Sequence, residues 1–190
     1  SLSRAQELAE RAGFSGVEVV GHREEQLGGR EGIAQGVVRL VLRQVVARPQ
    51  VEQAQVARLD HGFERGLSRV TATYSLREDG GVHVVNRGWR ADQGEWDEAE
   101  GKAYFVESPD LGRLKVSFFG PFYGGYNIFA LDRQHYGYAM ISGPDKSYLW
   151  ILARRPELDP ETLGLLVEQA RGLGFPVDEL IQVSHAEPAP

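Results

Sequence analysis

From Val51 to Ala153 the chain alternates apolar and polar positions in short runs broken by turn residues. Val70, Ala72 and Tyr74 alternate with Thr71 and Thr73; Tyr148, Trp150 and Leu152 alternate with Leu149 and Ile151. A period of two places alternate side chains on opposite faces of a strand. The runs predict strands over Ser68–Leu76, Val82–Trp89, Glu95–Glu107, Arg113–Phe119, Tyr126–Leu131, Tyr136–Ser142 and Ser147–Ala153. Between them lie Asp79-Gly80-Gly81, the polar stretch Arg90–Gly94, Ser108-Pro109-Asp110, Asp132–His135 and Gly143-Pro144-Asp145. Closely spaced strands with turn signals of this kind predict an antiparallel sandwich or barrel.

After Ala153 the period changes. Asp159 is a candidate N-cap, and Pro160 suits a first helical position, where its missing N–H costs nothing. Leu163, Leu166, Val167 and Ala170 recur at helical spacing, so one face is buried. Gly172 and Gly174 end the helix, Leu180–Val183 is a last short strand, and the tail Ala186–Pro190 is expected to be disordered. A meander of short strands and one amphipathic helix point to a mainly β fold. That fold is an eight-stranded antiparallel up-and-down barrel with the helix packed outside, since closure removes exposed edges and ~8 strands leave room for a small ligand.

The stretch Lys115–Asp132, KVSFFGPFYGGYNIFALD, is the centre of the pattern. Gly120-Pro121 should stop one strand, because proline brings no N–H to a ladder. Phe122 and Tyr123 then sit in the turn, Gly124-Gly125 release it, and Tyr126 starts the next strand. The aromatics around the bend (Phe118, Phe119, Phe122, Tyr123, Tyr126) either plug the end of a barrel or line the mouth of an apolar pocket.

Residues 1–50 read differently. Ser3 could cap a helix over Arg4–Ala12, Val17–Val20 is a strand candidate, and His22–Gly32 is a charged, glycine-rich loop. Val37–Val46, VVRLVLRQVV, suits a strand or a helix, and Pro49 ends it. The expected organisation is an N-terminal extension over 1–50, a barrel with its helix over 51–185, and a tail over 186–190.

Composition narrows the function. The net charge of −6 provides no basic surface for nucleic acid. The absence of cysteine excludes disulfides, thiol catalysis, thiolate metal sites and a lipid-bearing N-terminal cysteine in this chain. No apolar run approaches the ~20 residues of a membrane-spanning helix, and no signal-like start is visible.

Several stretches carry a family resemblance: ARLDHGFERGL (57–67), VTATYSLREDGGVHVVNRGW (70–89), EAEGKAYFV (98–106), LKVSFFGPFYGGYNIFALD (114–132), SGPDKSYLWILARRP (142–156) and the helix ending GF (174–175). Residues 57–185 resemble bacterial lipocalins of the outer-membrane lipoprotein type, related to apolipoprotein D. The resemblance implies an eight-stranded calyx, binding, storage or transport of fatty acids, lysophospholipids or similar amphiphiles, and a place in the periplasm or outer membrane of the cell envelope. Some relatives form a homodimer, an option the resemblance leaves open here, and membrane association is expected only through an anchor this chain does not carry.

One departure stands out. The family's first strand carries a Gly-x-Trp-Tyr-Glu signature, and here the corresponding residues read QVEQAQV (50–56). In the family the tryptophan closes the barrel floor beneath the arginine that matches Arg154, so Arg154 is expected to lack its stacking partner. Two readings stand: the N-terminus is replaced or mis-called, or this is a real variant in which Val37–Val46 or Val51–Ala57 supplies the first strand; if neither pairs with the last strand, the barrel stays open.

In a calyx, inward side chains are both core and ligand wall. Alternation offers Tyr74, Val84, Asn86, Phe105, Phe118, Tyr126, Ile128, Tyr138 and Tyr148 as the ligand-binding set, with Asn86 as an orienting polar group. Arg113, Lys102 and Lys115 could meet a lipid carboxylate or phosphate at the rim. His22, His61, His83, His135 and His185 show no i, i+4 pairing, so no metal site is expected, and no cofactor. Asp60-His61 invites a triad reading, but no Gly-x-Ser-x-Gly elbow accompanies it. Gly120, Gly124 and Gly125 lie between antiparallel strands, unlike a phosphate loop ahead of a helix. The expectation is a non-enzymatic carrier of an amphiphilic lipid. The alternatives are a lipocalin-fold isomerase or de-epoxidase acting on a hydrophobic substrate, or an envelope protein-interaction module with an occluded barrel.

Overall fold

A computed structural model describes residues 50–106, 112–119, 121–132 and 134–187. The elements expected over residues 1–46 lie outside them. Nine strands follow in order: β1 (Val51–Arg58), β2 (Leu67–Leu76), β3 (Val82–Arg90), β4 (Glu95–Phe105), β5 (Arg113–Phe119), β6 (Phe122–Leu131), β7 (Tyr138–Ser142), β8 (Leu149–Ala153) and β9 (Ile181–Gln182). The helix α1 spans Pro160–Gly172, and a short 3-10 turn spans Val177–Glu179.

Each of β2 to β8 pairs antiparallel with its neighbour, and β1 closes the ring by pairing with both β2 and β8. Val51–Ala57 therefore does supply the first strand, and the barrel closes without the family signature. Three polar or charged side chains of this strand, Gln53, Gln55 and Arg58, are buried. Arg154, just past β8, is exposed, and among the described residues no aromatic ring stacks on it.

The seam between β1 and β2 is repaired by the C-terminal segment. β1 pairs with β2 only over Val51–Ala54, and β2 bends away where its register shifts between Ser68 and Thr71. Arg69, with φ of 49°, sits at this bend. Into the gap comes β9, pairing with Ala57 and Arg58. Beside it Val183 N–H donates to Val56 C=O at 2.9 Å and Arg69 N–H donates to Ser184 C=O at 2.7 Å. Of the expected disordered tail, Glu187 is described, and its carboxylate accepts from Arg69 Nη1 at 3.2 Å.

The helix forms as its sequence suggests. The Asp159 carboxylate accepts from Thr162 N–H, Pro160 opens the first turn, and Gly174 turns the chain with φ of 83° beyond the end. Leu166 and Ala170 are buried, with Leu163 and Val167 beside them, against the outer faces of β6 to β8: Phe129, Ala130, Tyr138, Met140, Leu149, Ile151 and Ala153. Phe129 stacks on Phe175 at 5.3 Å. This outer core, between barrel wall and helix, holds three of the four largest fully buried side chains, Met140, Leu149 and Ile151. The barrel interior is a separate environment.

The central hairpin differs from its expected form. Phe122 and Tyr123 belong to β6, not to a turn, and Phe119 pairs directly with Phe122 across Gly120-Pro121. Phe122 is 78% exposed and Tyr123 42% exposed, with Lys115 Nζ 5.1 Å from the Tyr123 ring centre. These two rings therefore neither plug the barrel nor wall its pocket. A register shift between Val116 and Phe119 resets the alternation at the bend.

Candidate functional site

The inner face of the barrel follows from the register. Tyr74 on β2 lies beside Val84 on β3, Val84 beside Gly101 on β4, Phe105 beside Leu114 on β5, and Leu114 beside Tyr126 on β6. Two apolar groups line the interior. One holds Val82, Val84, Ala103 and Leu114, with Phe105, Val116 and Phe118 against them. The other holds Leu131, Ala139, Ile141 and Leu152, with Tyr136 and Trp150. Tyr74, Tyr126 and Ile128 touch both groups.

These inward rings are not sealed in a solid core. Tyr74, Asn86, Phe105, Phe118, Tyr126 and Ile128 all keep part of their accessible surface. A side chain that points into a closed barrel yet stays accessible faces a lumen. Ala72 and Ala99 are small residues on the inner face, and the Phe118 ring packs so closely against Gly101 that a Cβ there would meet it at 2.7 Å.

Seven of the nine residues expected to line the ligand site share this inner face: Tyr74, Val84, Asn86, Phe105, Phe118, Tyr126 and Ile128. Asn86 lies between Ala72 and Ala99, its polar amide among small neighbours. Tyr138 goes elsewhere. It packs in the outer core beneath α1, since Ala139 and Ile141 are the inward residues of β7. Tyr148 precedes β8 and stacks on His61 and Trp150 at one end of the barrel. Lys115 lies on the outer face against Tyr123, and Lys102, opposite Ser117, is also outside; Arg113 is exposed two residues before Lys115.

Sequence reasoning missed the polar cluster at the same end as Tyr148. The loop between β1 and β2 turns Glu64 into the barrel wall, where its residue is 5% exposed. Gln55 Nε2 donates to Glu64 Oε1 at 3.0 Å, and Trp150 Nε1 donates to Oε2 at 2.9 Å. Arg58 Nη1 donates to Gln55 Oε1 at 3.0 Å, and Nη2 donates to the Glu64 carbonyl at 2.8 Å. His61 Nδ1 lies 3.1 Å from Glu64 Oε2. The His61 ring is held between Phe63 at 4.7 Å and Trp150 at 5.0 Å.

Burial by itself would raise the Glu64 pKa. The contacts from His61, Trp150 and Gln55 outweigh it and hold the carboxyl below its ordinary value. Burial also pushes the Tyr74 phenol up to about 12, against its hydrogen bond with Tyr126, and carries Tyr126 well above its ordinary value. Among the described residues the tyrosine hydroxyls of the lumen are thus neutral at physiological pH, and the buried charge network around Glu64 is set into the wall. The cluster had a sequence signal, because Arg58, His61 and Glu64 all fall within ARLDHGFERGL; what the sequence did not show was Gln55 and Trp150 converging on them. Among the described residues, no group of three or more His, Cys, Asp or Glu side chains converges as a metal site would require.

Comparisons with known proteins agree with this geometry. The lipocalin-like domain family matches residues 52–185. The outer membrane lipoprotein Blc of Vibrio cholerae is 56% identical over 129 residues, covering 68% of this chain and 75% of that protein. The Escherichia coli K12 protein of the same name is 54% identical, covering 68% and 72%. Bovine apolipoprotein D is 32% identical over 119 residues, covering 59% of this chain and 61% of that protein. Among solved structures, insecticyanin from the tobacco hornworm superposes with a TM-score of 0.59 at 18% identity, covering 75% of this chain and 81% of that one. A closed eight-stranded barrel with one outer helix, matched by the family over most of its length and by close relatives in sequence, makes this chain a member of the lipocalin-like family.

Proposed function

We propose that this protein binds, stores or carries an amphiphilic lipid, of the fatty acid or lysophospholipid class, in the lumen of its barrel, without chemistry. The observation that carries this reading is the inner face itself, apolar and yet only partly buried at Tyr74, Phe105, Phe118, Tyr126 and Ile128. An acyl chain would gain ~0.8 kcal/mol for each methylene removed from water, much of it offset by ordering and association. The amide of Asn86 and the tyrosine hydroxyls are the polar groups that would orient it. The two Blc proteins are named outer membrane lipoproteins, which supports a place for this chain in the bacterial cell envelope.

The same reading makes the protein a carrier and not an isomerase or de-epoxidase. The titratable groups nearest the lumen, Tyr74 and Tyr126, are held protonated, and Glu64 is committed to three partners. Native mass spectrometry of the purified protein, followed by lipid extraction, tests the proposal. A co-purified intact lipid supports it. A converted lipid would point to an enzyme, and a barrel that stays empty in the presence of added fatty acid and lysophospholipid would sink it. The same spectrum reports whether a dimer forms.

A further inference from the structure

The hydroxyls of Tyr74 and Tyr126 meet at 2.8 Å. Tyr74 is on β2 and Tyr126 on β6, strands on opposite sides of an eight-stranded ring. The bond therefore runs across the lumen and not along the wall. It joins the two inner groups, that of β3 to β5 and that of β6 to β8, which among the described residues otherwise share only Ile128. Its height in the barrel follows from the register. Tyr74 is two residues from the end of β2, opposite Val84 and Val51, so the bar lies toward the end where β1 begins and β8 finishes. Val82 and Leu131 lie farther toward that end, Val82 two positions beyond Val84 on β3 and Leu131 at the end of β6 beyond Tyr126. Glu64, Trp150 and the β5–β6 bend lie toward the other. Both rings keep accessible surface, so free volume adjoins the bar. Both phenols stay protonated, so the bar carries no charge and keeps its hydrogen bond up to alkaline pH.

We infer that the Tyr74–Tyr126 pair is a depth stop that sets the acyl-chain length the lumen accepts. The inference rests on the lipid-binding reading and adds to it the residues that select among ligands. A tail entering from the Glu64 end meets two tied rings before it reaches Val82 and Leu131. Each methylene added short of the bar is buried and tightens binding about fourfold. Methylenes beyond that length have nowhere apolar to go and add nothing. A merely structural cross-strut would affect stability without setting such a limit.

The test measures affinities for saturated fatty acids of increasing chain length, by quenching of intrinsic tryptophan fluorescence, for the wild type, Tyr74→Phe and Tyr126→Ala. The wild type should tighten about fourfold per methylene and then level off. Tyr74→Phe unties the bar while keeping both rings, and should move the plateau to longer chains. The longest acids should then gain at least about fourfold over the wild type. Tyr126→Ala removes one ring and should move it further. If Tyr126→Ala does not fold, Tyr74→Phe decides the question. A wild type that binds with no plateau, or variants that share the wild-type plateau, overturns the depth stop while leaving lipid binding intact. A wild type that binds none of the acids removes the lipid-binding reading, and the depth stop with it.

Discussion

The indole N–H of Trp150 donates to Glu64 Oε2 at 2.9 Å, joining β8 to the loop between β1 and β2 across 86 positions of sequence. With Gln55 and Arg58 it ties that loop to the first and last barrel strands. Glu64→Ala would leave the Gln55 amide and the indole N–H without an acceptor in a buried site, a loss of about 1–3 kcal/mol for each donor. Glu64→Gln keeps the volume and one acceptor, and should cost about 1–3 kcal/mol. Denaturant unfolding of both variants checks the order; equal, negligible losses would contradict the role given to this network.

The same carboxylate makes stability depend on acid. Its folded pKa is below the ordinary 4.5, so its contribution is complete above that value and is lost as pH falls through the lower, folded one. Thermal midpoints measured from pH 6 downward should drop for the wild type, with a shallower drop for Glu64→Gln. Tyr74 acts at the opposite limit. Its pKa is raised from 10 to about 12, so its contribution is present below 10 and fades as pH rises through that interval. Tyr74→Phe should flatten the alkaline side of the profile.

Removal of the chain after Leu180 should open the seam between β1 and β2. The Arg69 amide would lose Ser184 as its acceptor, the Val56 carbonyl would lose Val183, and Arg69 would lose Glu187. Hydrogen exchange should accelerate at the Arg69 amide and spare the β3–β4 ladder. Protection at Arg69 equal to that of the full chain would show that β9 is not needed to seal the wall.

Gly101→Ala should disturb the lumen from within. The added methyl would meet the Phe118 ring at 2.7 Å and the Ser117 carbonyl oxygen at 2.8 Å. Backbone on one side leaves little room to relax, so overpacking should cost about 1–3 kcal/mol. Lipid affinity should fall as well, because Phe118 lines the lumen. Calorimetric unfolding and a fatty-acid titration read the two effects separately.

At the helix, Asp159→Ala removes the acceptor for Thr162 N–H and should cost about 1 kcal/mol. Leu166→Ala creates a cavity between α1 and the barrel wall and should cost about 2–5 kcal/mol. Both are read in urea, and neither should alter lipid binding, because the outer core is separate from the lumen.

Much of the fold was legible in the sequence, and for local reasons. Period-two alternation, Gly/Pro/Asp turns and the Asp159-Pro160 start are short-range properties, and they specify strand faces and a helix start before any tertiary contact forms. Alternation also placed Tyr74, Val84, Asn86, Phe105, Phe118, Tyr126 and Ile128 on one face. It failed at Tyr138, because a closed barrel carrying a helix has two apolar faces on β7, and an all-apolar strand (Tyr138–Ile141) does not announce which one turns inward. It failed again at Phe122 and Tyr123, where the register shift between Val116 and Phe119 breaks the alternation and both rings are exposed. Tertiary structure alone decided three things. Val51–Arg58 closes the ring despite its polar Gln53 and Gln55, because backbone pairing on both sides does not depend on the missing signature. Glu64 can be buried because Gln55, His61 and Trp150 arrive from separate strands and a loop. Tyr74 and Tyr126, 52 positions apart, meet across the lumen only because β2 and β6 stand opposite each other in an eight-stranded ring.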